Sequence, residues 1–148
     1  MKITHAVEIE RQPSCIFSWL EDPAKAIAWM SSVSNTEILH RTLDLVGTTF
    51  RETVVDEHGS TELRGVVTAC RTNQEIAFHL DGQFNWVDVA YRLEELAHGT
   101  RLTMHAEVHF KGVLRVLSLV MWPLFKRKVL DQFRSECAEL KRLCEGRR

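Results

Sequence analysis

The sequence predicts an α+β fold in which a seven-stranded antiparallel sheet, apolar on one face, is covered by one long C-terminal helix. Three observations predict it. Leu102, Met104, Ala106, Val108 and Phe110 alternate with Arg101, Thr103, His105, Glu107 and His109, the pattern of a strand with one face in the core and one in water. Turn-forming clusters at Leu45-Val46-Gly47, Glu57-His58-Gly59-Ser60, Thr72-Asn73-Gln74, Asp81-Gly82 and Ala97-His98-Gly99 divide the chain from Val33 to Phe110 into short runs, as in a meander. Beyond Lys111 the apolar period lengthens from two to three and four.

In chain order, Ile3, Val7 and Ile9 share one side of a half-buried first strand, and His5 lies on that side too. Pro13-Ser14 opens a short helix in which Ile16, Phe17, Trp19 and Leu20 cluster, and Asp22-Pro23 caps a second one that reaches about Trp29. Within the meander, Phe50, Glu52 and Val54 share a side of one strand, Ile76, Phe78 and Leu80 of another, and Val87, Val89, Tyr91 and Leu93 of a third. The final segment, about Val113 to Glu145, carries Val113, Val116, Leu117, Val120, Met121, Leu124, Val129, Phe133, Cys137, Leu140 and Cys144 at helical steps, which makes it the cover for the sheet. Pro123 is expected to kink or interrupt that helix, because it lacks an amide donor and crowds the preceding turn. The order is β-α-α-β6-α.

The 148 residues fit one domain, 1–148, without repeat, linker or low-complexity tract. A content of 45% hydrophobic and 26% charged residues with a net charge of −1 is that of a globular chain and offers no overall charge to attract nucleic acid. The most apolar run, Val116 to Phe125, falls well short of the roughly 20 residues that span a bilayer. The first residues lack the apolar block of a secretory signal, so the expected location is cytoplasmic. Cys15, Cys70, Cys137 and Cys144 are then kept reduced; with no Cys-x-x-Cys pair and no histidine pair at ligand spacing they read as small hydrophobes, and no metal site is expected. Charge is uneven along the chain: residues 1–111 hold 10 Lys/Arg against 16 Asp/Glu, and residues 112–148 hold 9 against 4.

Ser14 to Leu20 followed by Pro23 and Trp29, the Val46-Gly47-Thr48-Thr49-Phe50-Arg51-Glu52 segment, the Tyr91-Arg92-Leu93-Glu94 to Gly99-Thr100-Arg101-Leu102-Thr103 hairpin and the Leu140-Lys141-Arg142-Leu143-Cys144-Glu145 tail together resemble the helix-grip superfamily. This is the START-like or SRPBCC group, which holds the polyketide cyclase/dehydrase and lipid-transport families and the birch-pollen-allergen fold. The resemblance covers nearly all of the chain, through the order and spacing of loose fold motifs without a catalytic signature. It implies a curved sheet gripping the C-terminal helix and, between them, a cavity that binds a hydrophobic small molecule or lipid with no cofactor. Parity then gives a candidate lining of Phe50, Val54, Phe78, Leu80, Val89, Tyr91, Leu102, Met104 and Ala106 from the sheet and Met121, Phe125, Val129 and Phe133 from the helix, each of which could equally be packed core.

Three residues are candidates for proton transfer. Glu52 shares a face with Phe50 and Val54 and would be desolvated if that face points inward. His5 lies on the apolar side of the first strand, and Tyr91, the only tyrosine, lies on the apolar side of its own. His79, His105 and His109 fall on outward positions, His58 and His98 in turns and His40 near the end of a polar strand. Three function classes stay open: a hydrophobic-ligand binder, an enzyme of the polyketide cyclase or dehydratase type using Glu52, His5 or Tyr91, and an interaction module. The last would use Trp122 and the cations Lys126, Arg127 and Lys128 for transient contact with a membrane surface or a protein.

Overall fold

The computed structural model describes residues 1–56 and 59–146, and the predicted order of elements is present. His58, expected in a turn, lies outside the described residues. Strand β1 (Lys2–Ile9) is followed by helix α1 (Pro13–Leu20) and a 3₁₀ segment (Pro23–Ala28). Strands β2 (Val33–His40), β3 (Thr49–Asp56), β4 (Gly59–Arg71), β5 (Glu75–Asp81), β6 (Asn85–Leu96) and β7 (Gly99–Phe110) precede helix α2 (Val113–Cys144). The second short helix is therefore of the tighter 3₁₀ type, started by the Asp22 carboxylate, which accepts the Ala24 N–H at 3.0 Å.

The strands form one antiparallel sheet in the order β1-β7-β6-β5-β4-β3-β2. From β2 to β7 each strand pairs with the next, and β1 pairs with β7, placing Ile3 opposite Ala106, His5 opposite Met104 and Val7 opposite Leu102. The β6–β7 turn needs its glycine. Gly99 has φ 152°, and a Cβ there would stand 2.3 Å from the Ile9 carbonyl oxygen. Irregular pairing in β2–β3, between Val33 and Asn35 and between Ile38 and His40, and in β4–β5, between Val67 and Ala69, bends the sheet as β-bulges do.

The inward parity read from the sequence is realised on the concave face, where Ile9, Phe50, Val67, Ile76, Phe78, Val89, Tyr91, Leu102, Met104 and Ala106 join Ile16, Phe17, Leu20 and Trp29 in one core. Gly65 shapes this face. A Cβ at that position would stand 2.3 Å from Phe50 Cζ, so the absent side chain is what lets the Phe50 ring lie across β4. Gly65→Ala is expected to cost about 1–3 kcal/mol in urea unfolding, because the ring must leave its place. Unchanged stability would show that the ring has free room.

The long helix departs from expectation. It is continuous through Pro123, and only part of it covers the sheet. In the second half Cys137, Leu140 and Cys144 are buried against β1 and α1, with Cys15 Sγ 3.8 Å from the Cys144 carbonyl and the Glu10 N–H donated to the Glu145 carboxylate at 2.9 Å. In the first half Ser118 is buried, but Val113, Val116, Leu117, Val120 and Leu124, all predicted to face the sheet, are exposed. The physical reason is that Val113–Phe125 is apolar except for Arg115 and Ser118, so its apolar residues mark no single side as the one that meets the protein. Trp122, considered as an exposed contact residue, is half-buried instead.

Candidate functional site

Between the short helices and the sheet lies a cavity of about 70 Å³. Its floor is Phe50 and Glu52 of β3, Phe78 and Leu80 of β5, and Val89 and Tyr91 of β6; its roof is Trp19, Leu20, Asp22, Pro23, Ala26, Trp29 and Met30. Four aromatic rings run edge to face around it, with centroids 5.8 Å apart for Phe50–Phe78, 6.3 Å for Phe78–Tyr91 and 6.0 Å for Tyr91–Trp29.

The structure brings together five of the predicted lining residues, Phe50, Phe78, Leu80, Val89 and Tyr91, with the predicted carboxylate Glu52. Leu102, Met104 and Ala106 are buried in the core and do not line this cavity; nor does the half-buried Val54. The helix positions Met121, Val129 and Phe133 are half-buried away from it, and Phe125 lines a separate groove of about 440 Å³ with Phe84, Phe110 and Leu117. These corrections share a cause. The roof comes from the segment 19–30 instead of from α2, and strand parity identifies the face of a sheet without saying what covers it.

Glu52 is 7% exposed, and burial, assisted by the negative charge of Glu136, pushes its carboxyl up to about 7. Glu136, on α2, is 5% exposed, and burial raises its pKa as well. Opposing that rise, it accepts long hydrogen bonds from the Ser32 N–H at 3.4 Å, the Ser32 hydroxyl at 3.3 Å and the Ser31 hydroxyl at 3.4 Å. Tyr91 is raised well above its ordinary value, first by burial and then by Cys137, Glu136 and Glu52, so its phenol keeps its proton. Two buried polar atoms here have no hydrogen-bond partner among the described residues: the Trp29 indole Nε1 and the hydroxyl of Thr36, which stands opposite Glu52 on β2.

His5 is set apart from this group. It points inward as predicted and is half-buried beside β7, where burial and then the Arg134 guanidinium lower its pKa, but it does not line the cavity. The outward histidines are occupied on the convex face. His79 Nδ1 is 2.7 Å from Asp88, His109 Nε2 is 3.1 Å from Glu107 with its ring 3.8 Å over Trp86, and His105 Nδ1 is 3.3 Å from the Thr4 hydroxyl. Burial pushes the Cys137 thiol up to about 11, which keeps it a protonated, apolar side chain. No group suited to a metal ion is formed among the described residues.

Sequence reasoning missed the whole roof, Trp29 included, and Glu136 beside the cavity. Trp29 follows a proline-started short helix whose direction no periodicity encodes. Glu136 was legible: it lies three residues after Phe133 and four before Leu140, on the apolar face of α2.

Residues 9–135 match the family described as polyketide cyclase / dehydrase and lipid transport. The chain belongs to that family. The START-like, SRPBCC resemblance drawn from the sequence therefore holds, and solved structures bear out the helix-grip fold. A Thermus thermophilus protein superposes with a TM-score of 0.83 at 13% identity, covering 99% of this chain and 98% of its own. A START superfamily protein from Mycobacterium smegmatis gives 0.68 at 20% identity over 93% and 98%. The di-domain ARO/CYC StfQ of the steffimycin biosynthetic pathway gives 0.82 at 13% identity over 99% of this chain and 51% of that one. No curated protein sequence matches the chain. No helix among the described residues is long and apolar enough to cross a membrane.

Proposed function

We propose that the chain, acting as one domain, binds an apolar small molecule or lipid carrying a hydroxyl or carbonyl group, in the cavity between the 19–30 segment and the sheet. The observation that carries this reading is the Trp29 indole N–H, which has no partner among the described residues, in an otherwise apolar, aromatic-walled cavity that also holds Glu52 and Tyr91. A buried donor without an acceptor costs about 1–3 kcal/mol, and a ligand oxygen would relieve that cost. Ligand pockets commonly run to about 300–1,000 Å³, so a bound ligand requires this cavity of about 70 Å³ to enlarge. Membership of a family described by cyclase, dehydrase and lipid-transport activities supports the same reading.

Native mass spectrometry of freshly purified protein, with organic extraction of any mass lost on denaturation, tests it. A stoichiometric apolar passenger is the expected result. A clean apo mass, together with no uptake of a hydrophobic fluorescent probe that Trp29→Ala alters, would sink the reading.

A second reading is favoured by one observation. A carboxyl with a pKa of about 7 lining the same apolar cavity as a phenol is suited to proton transfer at neutral pH, as in a cyclase or dehydratase step on a bound carbonyl compound. Turnover of the extracted passenger with a pH profile that breaks near neutrality and is abolished in Glu52→Gln would separate catalysis from carriage.

A further inference from the structure

The outer face of the first half of α2 is apolar and has nothing over it among the described residues. Val113, Val116, Val120 and Leu124 recur at three- and four-residue steps, so they form one outward face, and they are 84%, 69%, 79% and 71% exposed. Leu117 and Leu119 flank them, also exposed, while the other side of the helix turns Ser118 inward. The second half of the same helix is built in the ordinary way, with Cys137, Leu140 and Cys144 buried and Asp131, Arg134, Ser135 and Arg142 outward. The outer face thus changes from apolar to polar along one helix, and contiguous exposed apolar surface of this kind marks a contact site.

Charge identifies the partner. Residues 112–130 contain Arg115, Lys126, Arg127 and Lys128 and not one Asp or Glu, while the neighbouring Lys111 is paired with Asp81 at 2.6 Å. Lys126, Arg127 and Lys128 follow directly on the apolar face and are exposed. Two copies meeting through this surface would set like charges against each other, whereas anionic lipid headgroups complement them while the acyl boundary takes the valines and leucines. The thirteen residues Val113–Phe125 run about 20 Å as a helix, a length that lies along a bilayer surface and does not cross it. Phe84, half exposed at the β5–β6 turn and held beside the helix start by the Lys111 N–H to Phe84 carbonyl bond of 2.8 Å, extends the apolar patch to the mouth of the groove that contains Phe110 and Phe125.

We propose that the Val113–Phe125 half of α2 docks flat on an anionic lipid surface, with Val113, Val116, Val120 and Leu124 at the acyl boundary and Lys126, Arg127 and Lys128 on the headgroups. This moves the membrane contact off Trp122, which faces the protein side, and onto the opposite side of the helix. The test is co-sedimentation of the full chain with phosphatidylcholine vesicles that contain or lack phosphatidylserine, at low and high salt. The parent is expected to bind the phosphatidylserine vesicles, more weakly as salt rises, and Val120→Asp or Leu124→Asp to lower that binding about tenfold or more with unchanged circular dichroism and melting temperature. Lys126→Glu combined with Arg127→Glu is expected to abolish the preference for phosphatidylserine. Absence of parent binding, or binding untouched by both apolar-to-acid variants, would overturn the proposal. A parent dimer that Val120→Asp converts to a monomer would also overturn it, by assigning the face to a second copy.

Discussion

Glu52→Gln is expected to make the protein more stable than the parent at pH 8, by about 3 kcal/mol, and to leave it within about 1 kcal/mol of the parent at pH 4.5. In the folded chain the Glu52 carboxyl holds its proton up to about pH 7, whereas in the unfolded chain it releases it near the ordinary value of 4.5. Between those values the folded state binds the extra proton. Stability is therefore complete below about pH 4.5 and falls as pH rises through 7, the reverse of the usual carboxylate. Glutamine keeps the shape and carries no charge at any of these pH values, so the alkaline loss disappears with the carboxylate. Urea unfolding midpoints of both proteins across this range measure it, and parallel profiles, or a variant less stable at pH 8, would show that Glu52 is solvated in the native state.

The groups facing Glu52 set how far the effect extends. Glu136 raises the Glu52 pKa through its own negative charge, and its carboxyl is raised in turn by burial, so it contributes a loss of stability of the same sign. His5 acts in the other direction, because its lowered pKa makes the folded state favour neutral imidazole and lose stability as pH falls. Comparison with the Gln variant cancels the His5 contribution and reads Glu52 together with its coupling to Glu136. The same proton equilibrium governs the cavity chemistry: below pH 7 a neutral carboxyl offers a ligand both a donor and an acceptor, and above it a carboxylate offers only acceptors.

Which residues face the cavity was legible as far as strand parity reaches. Phe50, Glu52, Phe78 and Tyr91 fell inward and His79, His105 and His109 outward, because a period of two assigns each residue of a strand to one of two faces and burial of one face fixes the register. Parity does not separate Phe78, which lines the cavity, from Met104, which is packed core on the same face, since the difference lies in what sits above them. That is decided by the 3₁₀ segment, whose six residues are too few to show a face. The long helix failed for a different reason. Its second half alternates polar and apolar sides and was placed correctly through Cys137, Leu140 and Cys144, but its first half carries only Arg115 and Ser118 among apolar residues up to Phe125, and a stripe cannot be read where there is so little contrast. The segment that defied the pattern is also the one left uncovered, as expected where a sequence serves something other than folding.

The second large effect is expected at Trp29, where two substitutions should part company. Trp29→Ala removes a buried wall of the core and is expected to cost about 3–5 kcal/mol of stability while enlarging the cavity. Trp29→Phe keeps a ring at the same Cβ and edge-on to Tyr91, and deletes the one indole atom that has no partner among the described residues. The apolar area lost with the smaller ring works against stability, but relief of a buried unpaired donor works for it, and since the two are of similar size the variant should unfold within about 1 kcal/mol of the parent. Ligand affinity should respond oppositely. If the indole N–H donates to the ligand's oxygen, Trp29→Phe removes a hydrogen bond made only in the complex and weakens binding of the extracted passenger by about tenfold, a loss that cannot be blamed on a damaged fold. Equal affinity in Trp29→Phe would place the ligand's polar group elsewhere, against Glu52 or Tyr91. A stability loss as large as that of the alanine variant would show that the indole N–H is already satisfied in the free protein, and the argument for a waiting acceptor would fall with it.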